Sequence, residues 1–412
     1  MLPLHQEAFI AISLPIGYHA IHPDVSLNFQ MNRWFSWVGD LSMLDEMRAV
    51  APRIRTYRDW QREFLVLAQQ ALAAGQNLKA AYYFRSAEFF LLAGDPERKP
   101  TREKFVQLMR EHYGIQPSDQ HRVPYSDGPV QGFLPAYRFT PASPKGTIVF
   151  FGGFDSYLEE LFLGFFYLRD AGFEVVAFEG PGQGGALLDS GLPMTPEWEK
   201  PVRAVLDYFG LSNVTLIGLS MGGCFVIRGA AFEPRVQRAI AYDIFFDSFE
   251  CNLRQMPSSL RRGLSALLRL KLDVLVNALA RRAARRSPVL GWGLHQGMHV
   301  TGTSTPVAYL RAIQRYTTAD ISTRVTQDVL LLAGSEDHYA PVGQFYKQIE
   351  ALKNARSLTA RLFTRAESAQ NHCQVGNYGL AFRVMTAWLD LQLTHRPEGA
   401  ATVSPQFDPG CT

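Results

Sequence analysis

Cysteine is scarce: the 412 residues hold four, at 224, 251, 373 and 411, and no two form a C-x-x-C pair. That spacing excludes a thiolate metal knuckle and a disulfide-stapled scaffold, and reads as reduced thiols of a cytosolic protein. Charge of one sign is lacking too. Lys and Arg total 41 against 38 Asp and Glu, a formal +3, which makes no general case for nucleic acid. No window approaches the roughly 18 uninterrupted apolar residues of a membrane span. The N-terminal "MLPLHQEAFIAISLPIGYHAIHP" is apolar but has no basic n-region, and prolines interrupt it, which argues against a cleaved signal. The rhythm of Ala73, Gly75 and Ala80 suggests a helical hairpin. No second copy follows at a fixed period, so a repeat array is excluded. These absences leave a soluble, cytoplasmic protein as the expectation.

What is present is apolar bulk, 47% of the chain, distributed in alternating patterns. Residues 1–122 read as an N-terminal helical region. "DWQREFLVLAQQALAAGQNLKAAYYFRSAEFFLLAG" has apolar residues at three- and four-residue spacing, with Gly75 and Gly94 as stops. In residues 123–244 the runs "QGFLPAYRF", "GTIVFFGG", "FEVVAFEG", "NVTLIGLS" and "VQRAIAYDI" alternate with helical stretches. That alternation predicts an α/β core with a mostly parallel, twisted sheet flanked by helices. Ser156 and Thr195-Pro196 read as helix starts. Residues 245–318 form a helical cap insert. The α/β pattern resumes over residues 319–395 with "QDVLLLAGSED", "SLTARLFT" and a closing helix, and residues 396–412 read as a disordered tail. A helical insert between parallel strands lies over the edge where open α/β sheets bind ligands.

In "VTLIGLSMGGCFVIRGAAFE" a serine stands between glycines directly after a strand-like run. It could be a plain strand-to-helix turn, a phosphate turn or a nucleophile. Gly218-Leu219-Ser220-Met221-Gly222 has the G-x-S-x-G order of a nucleophile elbow in its strand–turn–helix setting. A serine hydroxyl needs a base to take its proton, so an acid and then a histidine should follow, each after a later strand. Asp337 in "VLLLAGSEDHYAPV" and His372 in "LTARLFTRAESAQNHCQVGN" fill those places, with Glu336 and His338 as rivals. The Met221 N–H at the helix N-terminus and the Phe154 N–H after Gly152-Gly153 are the expected oxyanion donors.

Asp155 follows as a loop brace or a substrate contact. Asp243, Asp247 and Glu250 in "YDIFFDSFE" could reach substrate from the cap hinge, or cap helices and pair with arginines. "FEGPGQGG" lacks the spacing of a nucleotide-binding turn and reads as a rigid support. His295 and His299 stand four apart without the Glu of H-E-x-x-H or a third ligand, so no metal is called for, and the chemistry needs no organic cofactor. The insert carries Arg261, Arg262, Arg269, Lys271, Arg281, Arg282, Arg285 and Arg286. They form a solvated face, or dock an acidic partner such as an acyl carrier protein, or meet an anionic membrane surface.

With "FFGGFDSYLEEL", "FEGPGQGG", "GLSMGG", "GSEDHYAP" and "AESAQNHCQVGN" in view, residues 123–393 resemble the α/β-hydrolase superfamily. More narrowly, the chain resembles the branch with an N-terminal helical region that includes 2,6-dihydroxypseudooxynicotine hydrolase, the FrsA-like esterases and the fungal heptaketide hydrolases of pigment synthesis. The resemblance implies an α/β-hydrolase fold, a Ser220–Asp337–His372 triad, and a site enclosed by the sheet edge, the insert and the N-terminal helices. It also implies cleavage of carbon–carbon bonds next to ketones, or of esters. Glu179 stands where many relatives carry Asp. The expected partner is a small-molecule ketone or ester, with a homodimer left open. A carboxylesterase or thioesterase, and a non-catalytic scaffold, are the alternatives.

Overall fold

Short runs rich in Val, Ile, Leu and Phe pair into one eight-stranded sheet, because strands buried on both faces lose nothing by being apolar throughout. The computed structural model describes residues 14–128, 130–254 and 256–394. The expected disordered tail, the start of the N-terminal stretch and the cysteine at 411 lie outside them. The strands are β1 (Gln120–Asp127), β2 (Val130–Phe139), β3 (Thr147–Phe151), β4 (Glu174–Phe178), β5 (Val214–Leu219), β6 (Val236–Tyr242), β7 (Asp328–Gly334) and β8 (Ser357–Phe363). Their order is β1-β2-β4-β3-β5-β6-β7-β8. Only β1–β2 and β2–β4 pair antiparallel; the other neighbours are parallel. The chain steps from β3 outward to β4, then back across to β5. The switch point between β3 and β5 is where such sheets bind ligands, and the loops leaving those two strands carry Gly152–Phe154 and Ser220.

Alternation along the strands divides the core. Ile148 and Phe150 of β3 join the side chains of the N-terminal helices and of the closing helix Tyr378–Thr394 in one cluster. Val149 and Phe151 join those of helices Glu199–Phe209 and Gly222–Phe232 in another. The N-terminal helices Val25–Val38, Leu41–Val50, Tyr57–Ala73, Asn77–Phe89 and Arg98–His112 therefore share one core with the sheet. Trp34, Trp60 and Phe105 are buried there without exposure. The hairpin turn between the third and fourth of these helices holds Gly75 at φ +72°, the left-handed conformation glycine adopts without strain.

Among the described residues five α-helices lie between β6 and β7: Ser248–Asn252, Ser258–Arg269, Asp273–Arg286, Pro288–Val300 and Pro306–Ile313. The segment leaves and rejoins the sheet through a bridge between Asp247 and Thr317. Two hydrogen bonds reinforce it, from the N–H of Ser248 to the carbonyl of Tyr316 and from the N–H of Thr318 to that of Phe246. Among the described residues no helix is long and apolar enough to cross a membrane.

Two helix starts differ from the sequence reading. Ser156 does not cap a helix; its Oγ accepts the Gly153 N–H at 3.2 Å, and a 3-10 turn, Leu158–Leu161, precedes helix Phe162–Asp170. Thr195 accepts the Glu197 N–H at 3.2 Å, and the helix begins only at Glu199. In both places a short hydroxyl satisfies a loop N–H, which competes with capping.

Candidate active site

Ser220 ends β5 in a turn with φ +62°, a conformation that costs free energy in any residue other than glycine and is tolerated where function holds it. The turn is clamped from both sides. The Ser220 N–H donates to the Tyr242 carbonyl at 2.6 Å, and the Gly223 N–H to the Ser220 carbonyl at 2.8 Å. A Cβ at position 218 would stand 2.1 Å from the Gly222 carbonyl oxygen, so the elbow closes only with glycine there.

The other two candidate residues arrive from neighbouring strand ends. Asp337 lies three residues past β7, and His372 lies in the turn His372–Gln374 after β8. The Ser220 hydroxyl is 2.7 Å from His372 Nε2, and His372 Nδ1 is 2.5 Å from Asp337 Oδ2. A carboxylate can only accept, so Nδ1 carries the proton and Nε2 is left to accept from the serine. The other carboxylate oxygen, Asp337 Oδ1, accepts the N–H groups of Tyr339 at 2.6 Å and Ala340 at 2.9 Å. Burial works against the charged form of both groups, but their mutual attraction outweighs it. Asp337 is held below the usual aspartate value, and the imidazole of His372 well above the usual histidine value. Sequence reasoning placed these three residues in order, and the fold brings their side chains together.

The loop after β3 is set against the elbow. A Cβ on Gly153 would stand 2.8 Å from Ser220 Cβ and 3.0 Å from the Met221 nitrogen, so glycine alone permits the approach. This puts the backbone of Gly153, the residue before Phe154, beside that of Met221, which caps helix Gly222–Phe232. The loop is held from below by "FEGPGQGG". Gln183 Nε2 donates to the carbonyls of Gly152 at 2.6 Å and Gly153 at 2.8 Å. Buried Glu179 accepts the Gly185 N–H at 2.5 Å and the Leu158 N–H at 3.3 Å. Burial, with a contribution from Glu159, raises the Glu179 carboxyl to about 7. Gln183 thus fixes two successive loop carbonyls, while the Gly153 N–H is taken by Ser156 Oγ. The sequence reading took this turn as a support but did not single out Gln183, whose role depends on a contact 31 residues away.

The remaining candidates take several places. Asp243 does not face the cap hinge: it is fully buried behind the imidazole, its Oδ2 3.2 Å from His372 Nδ1 and 2.5 Å from the Cys373 N–H. Burial, then the nearby Asp337 charge, pushes its carboxyl up to about 7. Asp247 accepts the Glu250 N–H at 2.9 Å as a helix cap. Glu250 pairs with Lys347 at 2.5 Å, with Arg261 3.9 Å away. Asp155 pairs with Arg33 at 3.3 Å. Of the rivals, Glu336 is drawn away by Arg365, and half-buried His338 packs against Phe29 at 4.7 Å, its imidazole lowered to about 4 chiefly by desolvation.

One N-terminal helix, Val25–Val38, reaches the imidazole through Phe29. Phe29, Phe245 and Tyr339 surround the His372 ring at centroid distances of 6.2, 5.9 and 5.1 Å. Behind Asp155 runs a buried ionic chain in which Arg33 Nη2 meets Glu160 at 2.6 Å, Arg85 also meets Glu160, and Arg85 Nη1 meets Glu88 at 2.5 Å. A small cleft of about 20 Å³ lies between this chain, Phe154 and helix Pro288–Val300, with Trp292, Gln296, Phe89 and Arg98 in its lining. Sequence reasoning missed these walls. Their signal was the run of aromatic residues, with Lys79, Arg85 and Glu88 among them, in a helix buried along most of its length, Asn77–Phe89.

The sequence signature of the alpha/beta hydrolase family matches residues 148–375. The chain is 28% identical over 378 residues to hydrolase acrC of Aspergillus aculeatus, covering 84% of this chain and 87% of that one. It is 26% identical over 370 residues to 20-hydroxy-prefusarin hydrolase FUS2 of Gibberella moniliformis, covering 82% and 86%. Among solved structures it is similar to 2,6-dihydroxy-pseudo-oxynicotine hydrolase, at TM-score 0.57, 19% identity and coverage of 87% and 94%. AbyA5 is similar at TM-score 0.62, 16% identity and coverage of 89% and 94%. Strand order, elbow and signature agree: the chain belongs to the alpha/beta hydrolase family and is a hydrolase.

Proposed function

We propose that the protein is a serine-dependent hydrolase that cleaves a carbon–carbon bond next to a ketone, in a β-dicarbonyl, acylated aromatic or polyketide-type small molecule. The observation that carries the reading is the unbroken chain from Ser220 Oγ to His372 at 2.7 Å and on to Asp337 at 2.5 Å. Ser220 Oγ adds to the ketone carbon as His372 Nε2 takes its proton. The oxygen of the resulting alkoxide lies against the N–H groups of Phe154 and Met221, which are fixed in advance and need no reorganisation. The carbon–carbon bond then breaks, its electron pair leaves as an enolate, and His372 returns the proton to that carbon. Water, deprotonated by His372, hydrolyses the acyl-serine ester to the acid and frees Ser220. In a second route Ser220 and His372 only activate water for direct attack.

The aromatic walls around His372 support a flat, conjugated ketone substrate and shield the enolate from bulk water. The fungal relatives support a polyketide-type substrate, since one is named for 20-hydroxy-prefusarin. In this reading the N-terminal helices and the insert 245–318 enclose the site, no cofactor takes part, and the protein works in the cytoplasm with its buried thiols reduced. Two of those thiols are raised by burial, Cys224 to about 12 and Cys373 to about 11.

A carboxylesterase or thioesterase is the second reading, favoured by the fact that the serine is already hydrogen-bonded for direct attack. An aryl 1,3-diketone such as benzoylacetone, followed by chromatography, separates the two. Release of paired acid and ketone, lost in Ser220→Ala, supports carbon–carbon cleavage. Turnover of p-nitrophenyl esters with no diketone cleavage moves the assignment to an esterase.

A further inference from the structure

The outer surface of the cap insert combines two features that seldom occur together by chance. Sixteen large apolar side chains stand exposed among the described residues, and eight of them fall within residues 260–290. The same stretch carries eight Lys and Arg and a single acid, Asp273. Its formal charge of +7 therefore exceeds the +3 of the whole chain. The one acid is already committed, bound by both nitrogens of Arg311 at 2.6 and 2.7 Å.

Helical spacing puts these groups on the outside. In helix Asp273–Arg286 the inward side holds Val276, 1% exposed, and Asn277, which accepts the Val307 N–H at 3.0 Å. The outward side begins with Val274, 86% exposed, then Leu275 and Leu279 one turn apart. It continues into Arg281, Arg282, Arg285 and Arg286. The turn that precedes this helix adds Leu270 and Leu272, 69% and 44% exposed, on either side of Lys271. Water gains nothing from Leu and Val held out on helix tips, and a contiguous exposed apolar patch marks a contact surface.

We propose that this face of the cap binds the surface of an anionic lipid bilayer, with the apolar tip around residues 270–275 entering the headgroup layer and the arginines meeting lipid phosphates and carboxylates. The apolar groups project from a turn and the helix that follows it, a shape suited to insertion among lipids, whereas a protein partner needs a groove or matching relief. The cations lie at both ends of the patch, and the one carboxylate between them, Asp273, is held by Arg311, so the attraction is to a diffuse negative surface. The next helix, Pro288–Val300, continues from this face into the cleft wall with Trp292 and Gln296. If the proposed enzymatic reading holds, a lipophilic substrate would approach the enzyme from the bilayer side. The binding itself does not depend on that reading.

The test is co-sedimentation of the full chain with vesicles of phosphatidylcholine alone and of phosphatidylcholine mixed with phosphatidylserine. The expected result is binding to the mixed vesicles, roughly tenfold or more above that to neutral ones and reduced by salt. Val274→Asp with Leu275→Asp, and separately Arg281→Glu with Arg285→Glu, should each weaken it by about tenfold or more. Both pairs point outward, and unchanged fluorophosphonate labelling confirms that the variants are folded. Equal binding to both vesicle types, or binding untouched by both variants, would overturn the proposal. So would capture of an acidic carrier protein by this face without vesicle binding, or a dimer dissolved by the same substitutions without vesicle binding.

Discussion

Asp243 approaches the His372 imidazole on the same nitrogen that meets Asp337, its Oδ2 3.2 Å from Nδ1 against 2.5 Å for Asp337. Two buried carboxyls on one imidazole cannot both carry charge cheaply, and their environments part them. Asp337 is held low by the imidazole and by backbone donors, while Asp243, with no partner for its Oδ1 among the described residues, is pushed to about 7. Replacing Asp337 by Asn should therefore cost less than the roughly 10⁴-fold loss expected where the aspartate is the histidine's only acid. Asp243 remains within reach to hold Nδ1–H. The double replacement Asp337→Asn, Asp243→Asn should fall to the rate of His372→Ala. Measuring kcat/KM for the three variants on one ester substrate decides it; equal losses in the single and double variants would remove Asp243 from the site.

The same carboxyl makes stability depend on pH. The Asp243 pKa is raised on folding from the model-compound 3.8 to about 7, so the folded state binds its proton more tightly than the unfolded chain does. The contribution is fully present below about pH 4 and is lost as pH rises through about 7. Buried Glu179, raised from 4.5 to about 7, acts in the same direction. Asp243→Asn mimics the protonated form and should flatten the decline of Tm between these limits. A wild-type slope left unchanged in the variant would contradict this.

His372 is also the source of the expected rate profile. Only its neutral form accepts the serine proton, and Asp337 holds the imidazole well above its usual value. The kcat/KM of the enzyme should rise with pH through an apparent pKa well above 6.5. In Asp337→Asn that midpoint should move down, since the loss of a negative neighbour weakens proton binding. A stopped pH series with a p-nitrophenyl ester reads both midpoints.

Much of this architecture was legible because the central strands are separate apolar runs, and the order serine, aspartate, histidine falls at the exits of β5, β7 and β8. The position of Asp243 was not legible. Its residue was seen, but its direction depends on the register that sets Tyr242 beside Leu219 on one side and Leu332 on the other. That register puts the residue after Tyr242 under the imidazole and away from the cap. The ionic chain escaped for a similar reason, because Arg33 and Glu160 stand 127 residues apart. Ser156 and Thr195 read as helix starts, yet each hydroxyl accepts a loop N–H two or three residues away instead of capping a helix.

Gln183 offers a test of how the oxyanion loop is held. Its amide donates to two successive carbonyls, those of Gly152 and Gly153, and removal would leave both buried oxygens unsatisfied and the loop free to rotate a peptide. Gln183→Met keeps the volume but not the donors. The expected outcome is a fall in kcat of ~10²-fold, near the loss of one oxyanion donor, with KM little changed because ground-state contacts lie elsewhere. A rise in KM at constant kcat would assign Gln183 to substrate binding.

Glu160 tests whether the N-terminal helices are held to the catalytic core by charge as well as by apolar packing. Its buried carboxylate receives Arg33 at 2.6 Å and Arg85 from the other side, and its backbone carbonyl accepts the Tyr82 hydroxyl at 2.8 Å. Glu160→Ala leaves two guanidiniums buried with too little negative charge, and breaking such a set by removing one member costs ~3–5 kcal/mol. Arg33 also pairs with Asp155, the neighbour of Phe154, so the damage should reach the oxyanion loop. Thermal unfolding should show a clear fall in Tm, and ester turnover below that Tm should fall with it. A variant as stable as the parent, with activity intact, would mean that the aromatic packing of Trp34, Tyr82 and Phe105 holds these helices by itself.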